Sequence, residues 1–121
     1  MIPIEESVDD GNERHLVITT KHGNYVRKPA NLPTRILMRL TYLKYPSIAK
    51  DYAVRHINYN NQVAMIKELE ADNKAVYIYP SESVPVSRIS GDKENLIYLY
   101  ELGYKDMEAR KDEIFAMFKK D

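Results

Sequence analysis

The residues best suited to bind a ligand are basic side chains in two turn-rich loops. Arg27 and Lys28 lie in segment 21–33. Arg88 lies in segment 85–91, which begins with a proline and ends with a glycine. A few clustered cations are enough for weak attraction to phosphate or lipid headgroups, and an arginine can also hold a carboxylate. These three residues are the candidate substrate-binding residues.

A less specific interpretation of the same cations is favoured. Arg35 and Arg39 extend the basic character of segment 21–33, and together these side chains predict either a lipid-binding surface or a solvated basic edge. The solvated edge is the preferred interpretation, because exposed cations are common on protein surfaces. For Arg88, a role in fixing its own loop is preferred over contact with a substrate.

Residue types that enzymes and metal sites depend on are absent or poorly spaced. His15, His22 and His56 have no metal-ligand spacing, so no metal site is predicted. The absence of cysteine excludes disulfides and thiolate catalysis. None of the four glycines belongs to a Gly-x-Ser-x-Gly nucleophile elbow. The sequence therefore predicts no catalytic residue and no cofactor.

Charge and composition argue against several partners. Eighteen basic residues balance eighteen acidic ones, so no net field attracts nucleic acid. The tyrosine-rich stretches also lack the interleaved cations of a stacking platform for single strands. No apolar run is long enough to span a bilayer, and residues 1–11 lack the basic and apolar regions of a signal peptide, although peripheral membrane contact through the basic loop stays open. The lack of cysteine is compatible with a reducing compartment, and the cytoplasm is predicted.

Two short apolar runs predict the strands of a single α/β domain covering residues 1–121. Residues 15–20 contain an uninterrupted Leu-Val-Ile core, which favours a strand buried on both faces of a parallel sheet. Residues 74–79 alternate aliphatic and tyrosine side chains and predict its parallel neighbour.

Helical patterns occupy most of the remaining chain. We expect about five helices, namely Pro3 to Gly11, Thr34 to Lys44 with Thr34 as cap, Ile48 to Asp72 with a break near Asn58 to Asn61, Asp92 to Gly103, and Asp106 to the C-terminus. Two strands alone make a marginal sheet. Either the chain self-associates, or it is part of a larger αβα sandwich with three layers.

Seven segments along the chain carry a resemblance to a known family. They are, in order, Met1 to Ser7 (MIPIEES), 15–20 (HLVITT), Asn24 to Pro29 (NYVRKP), Arg55-His56-x-x-Tyr59-Asn60, Tyr79 to Ser81, Val84 to Arg88 and Leu99 to Tyr104. In their order and spacing they resemble the C-terminal region of bacterial patatin-like phospholipases. The resemblance covers nearly the whole chain, but only about the last third of a family member.

This resemblance implies a fold and a function. Patatin-like enzymes are serine acyl hydrolases with a Ser-Asp dyad, and the dyad aspartate of the family would lie just before Ile2, so Asp9 and Asp10 are not assigned that role. The chain would be the non-catalytic C-terminal region, and its upstream catalytic part would act on lipid or carboxylic esters. We expect the isolated chain to form homo-oligomers. The alternative is a stand-alone binding or regulatory module that self-associates through strand edges or helix faces.

Overall fold

The computed structural model describes residues 2–85 and 92–119, and in this part of the chain five helices accompany two strands. Their order is α1 (Ile4–Asp9), β1 (His15–Ile18), α2 (Leu32–Thr41), α3 (Pro46–Ala71), β2 (Ala75–Ile78), α4 (Lys93–Ala109) and α5 (Lys111–Phe118). The predicted α/β class, with two parallel strands and about five helices, is confirmed.

The two strands pair in parallel, with His15 opposite Ala75 and Ile18 opposite Ile78. The amide of His15 donates to the carbonyl of Lys74, and the amide of Thr19 donates to that of Ile78, both at 2.9 Å. The connection between the strands contains α2 and α3, as parallel pairing requires a long crossover. Because the strands are parallel, their carboxyl ends lie at the same end of the sheet.

Helices lie on both faces of the sheet. On one face, Val17 and Tyr77 pack with Tyr59 and Ile66 of α3 in the main hydrophobic core, which Ile4 of α1 joins. On the other face, Ile78 and residues of α4 line a common cavity. The order of layers is thus helix, sheet, helix, although the sheet has only two strands.

Burial differs between the strands. All four residues of β2 are buried, but in β1 the side chains of Leu16 and Ile18 are 38% and 61% exposed. The prediction that β1 is buried on both faces is therefore wrong. An apolar run indicates that both faces of a strand need cover. On the face that carries Leu16, Ile18 and Ile78, the described helices cover β2 but leave β1 open.

The cap of α2 and the continuity of α3 differ from the predictions. Asn31, not Thr34, caps α2, and its side chain accepts a hydrogen bond from the amide of Thr34 at 3.0 Å. Helix α3 runs unbroken for 26 residues, so the predicted break near its asparagines is wrong. Asn60 and Gln62 of α3 bond distant backbone groups at Arg27 and Ile2, and these tertiary contacts outweigh the weak helix propensity of asparagine.

The C-terminal helices also differ in extent. Asp92 caps α4 as predicted, accepting from the amides of Glu94 and Asn95. The helix continues through Gly103 to Ala109, because Gly103 keeps a helical conformation, and α5 then starts at Lys111 rather than Asp106. Positive φ angles occur instead at Gly11 (81°) and Asn73 (57°), where α1 and α3 have ended. Among the described residues, none of the helices combines the length and the hydrophobicity that a transmembrane span requires.

Candidate functional site

The loops that follow the two strands meet at the carboxyl end of the sheet. This is the end where ligands bind in open parallel sheets. Gly23 lies in the loop after β1, and a Cβ atom placed there would stand 2.6 Å from ring carbons of Tyr79, the residue that follows β2. A glycine at position 23 therefore allows the two loops to pack in contact.

A small cavity, which we call the cationic pocket, lies between the loop after β1 and the first half of α3. Its volume is about 150 Å³ and it is lined by Tyr25, Arg27, Lys28, Ala30, Tyr52, Arg55 and His56. Two candidate residues from the sequence, Arg27 and Lys28, thus lie together with two polar residues of α3. No carboxylate is among the lining residues.

Arg27 is held in place from two directions. The side chain of Asn60 accepts a hydrogen bond from the Arg27 amide at 2.9 Å and donates one to the Arg27 carbonyl at 3.1 Å. The guanidinium carbon lies 4.7 Å from the ring centroid of Tyr59, a cation–π distance. Burial raises the pKa of Tyr59, with a smaller contribution from Tyr77, so the ring beneath Arg27 stays a neutral phenol.

Helical spacing brings the remaining polar residues into the pocket. Tyr52, Arg55 and His56 are three and four residues apart on α3 and therefore share one face. The guanidinium of Arg55 lies 5.7 Å from the ring centroid of Tyr52. Sequence reasoning missed Arg55 and His56 as site residues, although both belong to the stretch 55–60 that carries part of the resemblance. Their one-turn spacing from Tyr52 and Tyr59 was the available signal.

The other basic candidates do not join this pocket. Arg35 and Arg39 line a separate groove of about 450 Å³ between α2 and α3, so the four cations considered as an alternative lipid surface are divided between two places. Arg88 lies outside the described residues. Within residues 2–85 and 92–119, no group of three His, Asp or Glu side chains is arranged to hold a metal ion.

The outer edge of β1 is open. Because the amides of His15 and Thr19 donate toward β2, the backbone groups of Leu16 and Ile18 point to the opposite edge of the strand. Among the described residues nothing hydrogen-bonds to them there. An apolar cavity of about 440 Å³ continues from Ile18 past Ile78 to Leu99, Tyr104 and Met107. An uncovered edge and an uncovered face therefore adjoin.

The outer edge of β2 is closed at its centre by side chains. The amide of Tyr77 donates to a carboxylate oxygen of Glu70 at 3.1 Å, and the carbonyl of Tyr77 accepts from Arg110. Glu70 and Arg110 also pair with each other at 2.9 Å. Two charged side chains thus occupy the backbone positions that a further strand would use.

The C-terminal part of the chain matches a protein family. Residues 45–119, more than half of the chain, match the family described as a domain of unknown function, DUF6363. The matched region contains α3 to α5 and β2, and so includes Arg55 and His56 but not Arg27 or Lys28. No curated protein and no solved structure matches the chain.

Proposed function

The chain belongs to the DUF6363 family, and we propose that it is the non-catalytic C-terminal region of a patatin-like serine acyl hydrolase. In this proposal it adds β1, β2 and their covering helices to a larger parallel sheet. The upstream part of the same protein supplies the serine nucleophile and its aspartate. The family assignment alone carries no activity, and the resemblance of the sequence supplies the proposed reaction class.

The observation that carries this proposal is the open edge of β1. Leu16 and Ile18 are apolar, exposed and on one face, while their backbone groups face an edge without a partner among the described residues. A strand of this kind is a template for pairing. A neighbouring parallel strand with a helix above it would cover both the edge and the face.

The asymmetry of the sheet gives the proposal a direction. The Glu70–Arg110 pair occupies the β2 edge at Tyr77, so further strands are expected beside β1 only. The chain would then form one end of the larger sheet, with α5 flanking its last strand. The resemblance supplies the proposed substrate class, lipid or carboxylic esters. We also propose that the protein is located in the cytoplasm.

A competing function is self-association of a stand-alone module, and one observation favours it. Helix α2 has no buried residue, and four of its apolar residues are more than half exposed: Leu32, Ile36, Leu37 and Leu40. A second copy could cover this stripe. The alternative and the main proposal differ in whether an acyl hydrolase precedes the chain in the same protein.

The deciding experiment is labelling of the protein translated from the whole reading frame with a serine-directed fluorophosphonate, which marks activated serines. We expect one labelled serine upstream of residue 1 and saturable ester hydrolysis. Substituting that serine by alanine should abolish both. A frame that encodes no upstream Gly-x-Ser-x-Gly, or a full-length protein without labelling, would exclude the acyl hydrolase and favour the self-associating module.

A further inference from the structure

We propose that the cationic pocket is a binding site for a phosphate group, either free phosphate or a phosphate monoester. The pocket is lined by Arg27, Lys28, Arg55 and His56, with two tyrosine rings beside them. This inference does not depend on the proposed acyl hydrolase, because it concerns only groups of this chain. It assigns a ligand class to a site that has no catalytic serine.

The charge of the pocket is uncompensated. Arg27, Lys28 and Arg55 bring three positive charges, and within the described parts of the chain none of them forms a salt bridge. Asp51 lies one helical turn before Arg55 on α3 and is exposed. Within the described parts of the chain, Asp51 and Arg55 form no salt bridge. Clustered cations without carboxylates repel one another, and an anion relieves that repulsion.

Two buried polar atoms provide an independent observation. The Nε of Arg27 and the Nδ1 of His56 are buried and have no hydrogen-bond partner in the described structure. A buried donor without an acceptor is destabilising, so native proteins rarely leave one unpaired. Arg27 Nε is always a donor, and an imidazole nitrogen becomes one in the appropriate tautomer. An acceptor-rich ligand that reached these two atoms would satisfy both.

The anchoring of Arg27 favours an oxyanion over a loosely held counterion. Its backbone is fixed by Asn60 and its guanidinium rests on Tyr59, so little side-chain freedom remains to be lost on binding. Guanidinium groups match the geometry of phosphate oxygens and can bind them in pairs. The arrangement of a fixed arginine, a second arginine and a lysine therefore suits a phosphate dianion.

The size of the pocket limits the ligand. Its volume of about 150 Å³ is on the order of ten times the ~15 Å³ that a single ordered water requires. A phosphate group with part of its hydration fits, whereas a whole nucleotide or an acyl chain would have to extend outside. Exposed Lys28 at the rim can reach the outer oxygens of such a ligand.

The test is titration of the chain with inorganic phosphate, with chloride at equal ionic strength as reference, followed by ¹⁵N NMR. We expect saturable shifts that include the side-chain Nε–H signal of Arg27. Arg55→Gln and Lys28→Gln should each weaken binding by about tenfold, the size of effect given by one charge-assisted hydrogen bond. Arg35→Gln is the matched control, because Arg35 lies in the other groove, and it should bind phosphate as the native chain does.

The results separate the proposal from its alternatives. Absence of saturation, an unmoved Arg27 Nε–H signal, or equal losses in the Arg55 and Arg35 variants would overturn it. A second arm uses phosphatidylcholine vesicles with and without phosphatidic acid, a lipid phosphate monoester. Co-sedimentation that requires phosphatidic acid and Arg55 identifies a lipid headgroup as the source of the phosphate, whereas binding of inorganic phosphate alone identifies a soluble ligand. Vesicle binding that Arg55→Gln leaves unchanged counts against the site.

Discussion

Arg110 and Glu70 form an ion pair at 2.9 Å, and together they bind both backbone groups of Tyr77. The pair joins the start of α5 to the end of α3 across the edge of β2. Arg110 also holds Glu113 through two hydrogen bonds of 2.7 and 2.8 Å. These carboxylates raise the pKa of Arg110 further above its usual range, mainly through Glu113, so the guanidinium stays charged.

Replacing this arginine should destabilise the fold. In Arg110→Met, the Tyr77 carbonyl and the Glu70 carboxylate lose a charged donor, and we expect the free energy of unfolding to fall by about 1–3 kcal/mol. Urea denaturation followed by circular dichroism measures this change. The matched control is Lys111→Met, since Lys111 pairs with Glu108 and both side chains are more than half exposed. That control should cost under about 1 kcal/mol, and equal losses in the two variants would contradict the assigned role.

Acid should weaken the same network through Glu113. Hydrogen bonding from Arg110 is the largest cause that lowers the pKa of Glu113. A carboxyl group whose folded-state pKa is lowered stabilises the fold above the ordinary glutamate pKa of about 4.3, and this contribution is lost as the pH falls through the folded-state value. The stability difference between the native chain and Glu113→Gln should therefore be present at neutral pH and shrink in acid. It should be small, because Glu113 is half exposed, and a difference that grows in acid would exclude this explanation.

The side chain of Asn60 should contribute more to stability than that of the neighbouring Asn58. Asn60→Ala removes both bonds to the backbone of Arg27, and we expect a loss of about 1–2 kcal/mol in unfolding free energy. Asn58→Ala is the control, because within the described contacts the Asn58 side chain forms no hydrogen bond and the helix gains propensity from alanine. Thermal unfolding of both variants compares them. If Asn58→Ala lost as much unfolding free energy as Asn60→Ala, the contact between Asn60 and the backbone of Arg27 would not explain the loss.

Self-association of the isolated chain is expected to proceed through the edge of β1. Ile18→Pro removes the outward amide at that edge while leaving the amides that donate to β2 in place, and proline is tolerated on edge strands. We expect light scattering at micromolar concentration to report an oligomer for the native chain and a smaller particle for the variant. Ile18→Val, which keeps the amide, should associate like the native chain. A native chain that is strictly monomeric would contradict the expectation.

The chain alone should not hydrolyse esters. No Gly-x-Ser-x-Gly elbow is present in its sequence, so short-chain nitrophenyl esters should be cleaved only at the background rate. A rate that saturates with substrate and disappears after fluorophosphonate treatment would require an activated serine within residues 1–121. This measurement is independent of phosphate binding, and either result can hold without the other.

Local patterns predicted the elements better than their boundaries. The parallel pair β1 and β2 followed from two apolar runs, and Asp92 was recognised as a cap from its position before a helical pattern. The continuity of α3 could not be predicted, because it depends on bonds from Asn60 and Gln62 to residues far away in sequence. The predicted end of α4 at Gly103 was also wrong. Glycine permits a helix to end but does not require it to.

The candidate site was predictable only in part. Arg27 and Lys28 were identified from a basic turn, but pairing them with Arg55 and His56 requires knowing that the loop folds back on α3. The closure of the β2 edge was equally hidden, since Glu70 and Arg110 are forty residues apart. Such long-range pairs have no periodic signal. The one-sided burial of β1 was missed because hydrophobicity reports which faces need cover and not which elements supply it.

The closed edge of β2 limits how many copies of the chain can join through strand pairing. If two chains paired through β1, their sheets would merge into four strands, and each outer rim would then be a β2 strand occupied at Tyr77 by the Glu70–Arg110 pair. Neither rim offers the central amide and carbonyl that a third copy would need. Such an assembly around a two-fold axis is finite, whereas a chain with both edges free could polymerise into a filament. A single ion pair would thereby separate a bounded dimer from open-ended growth.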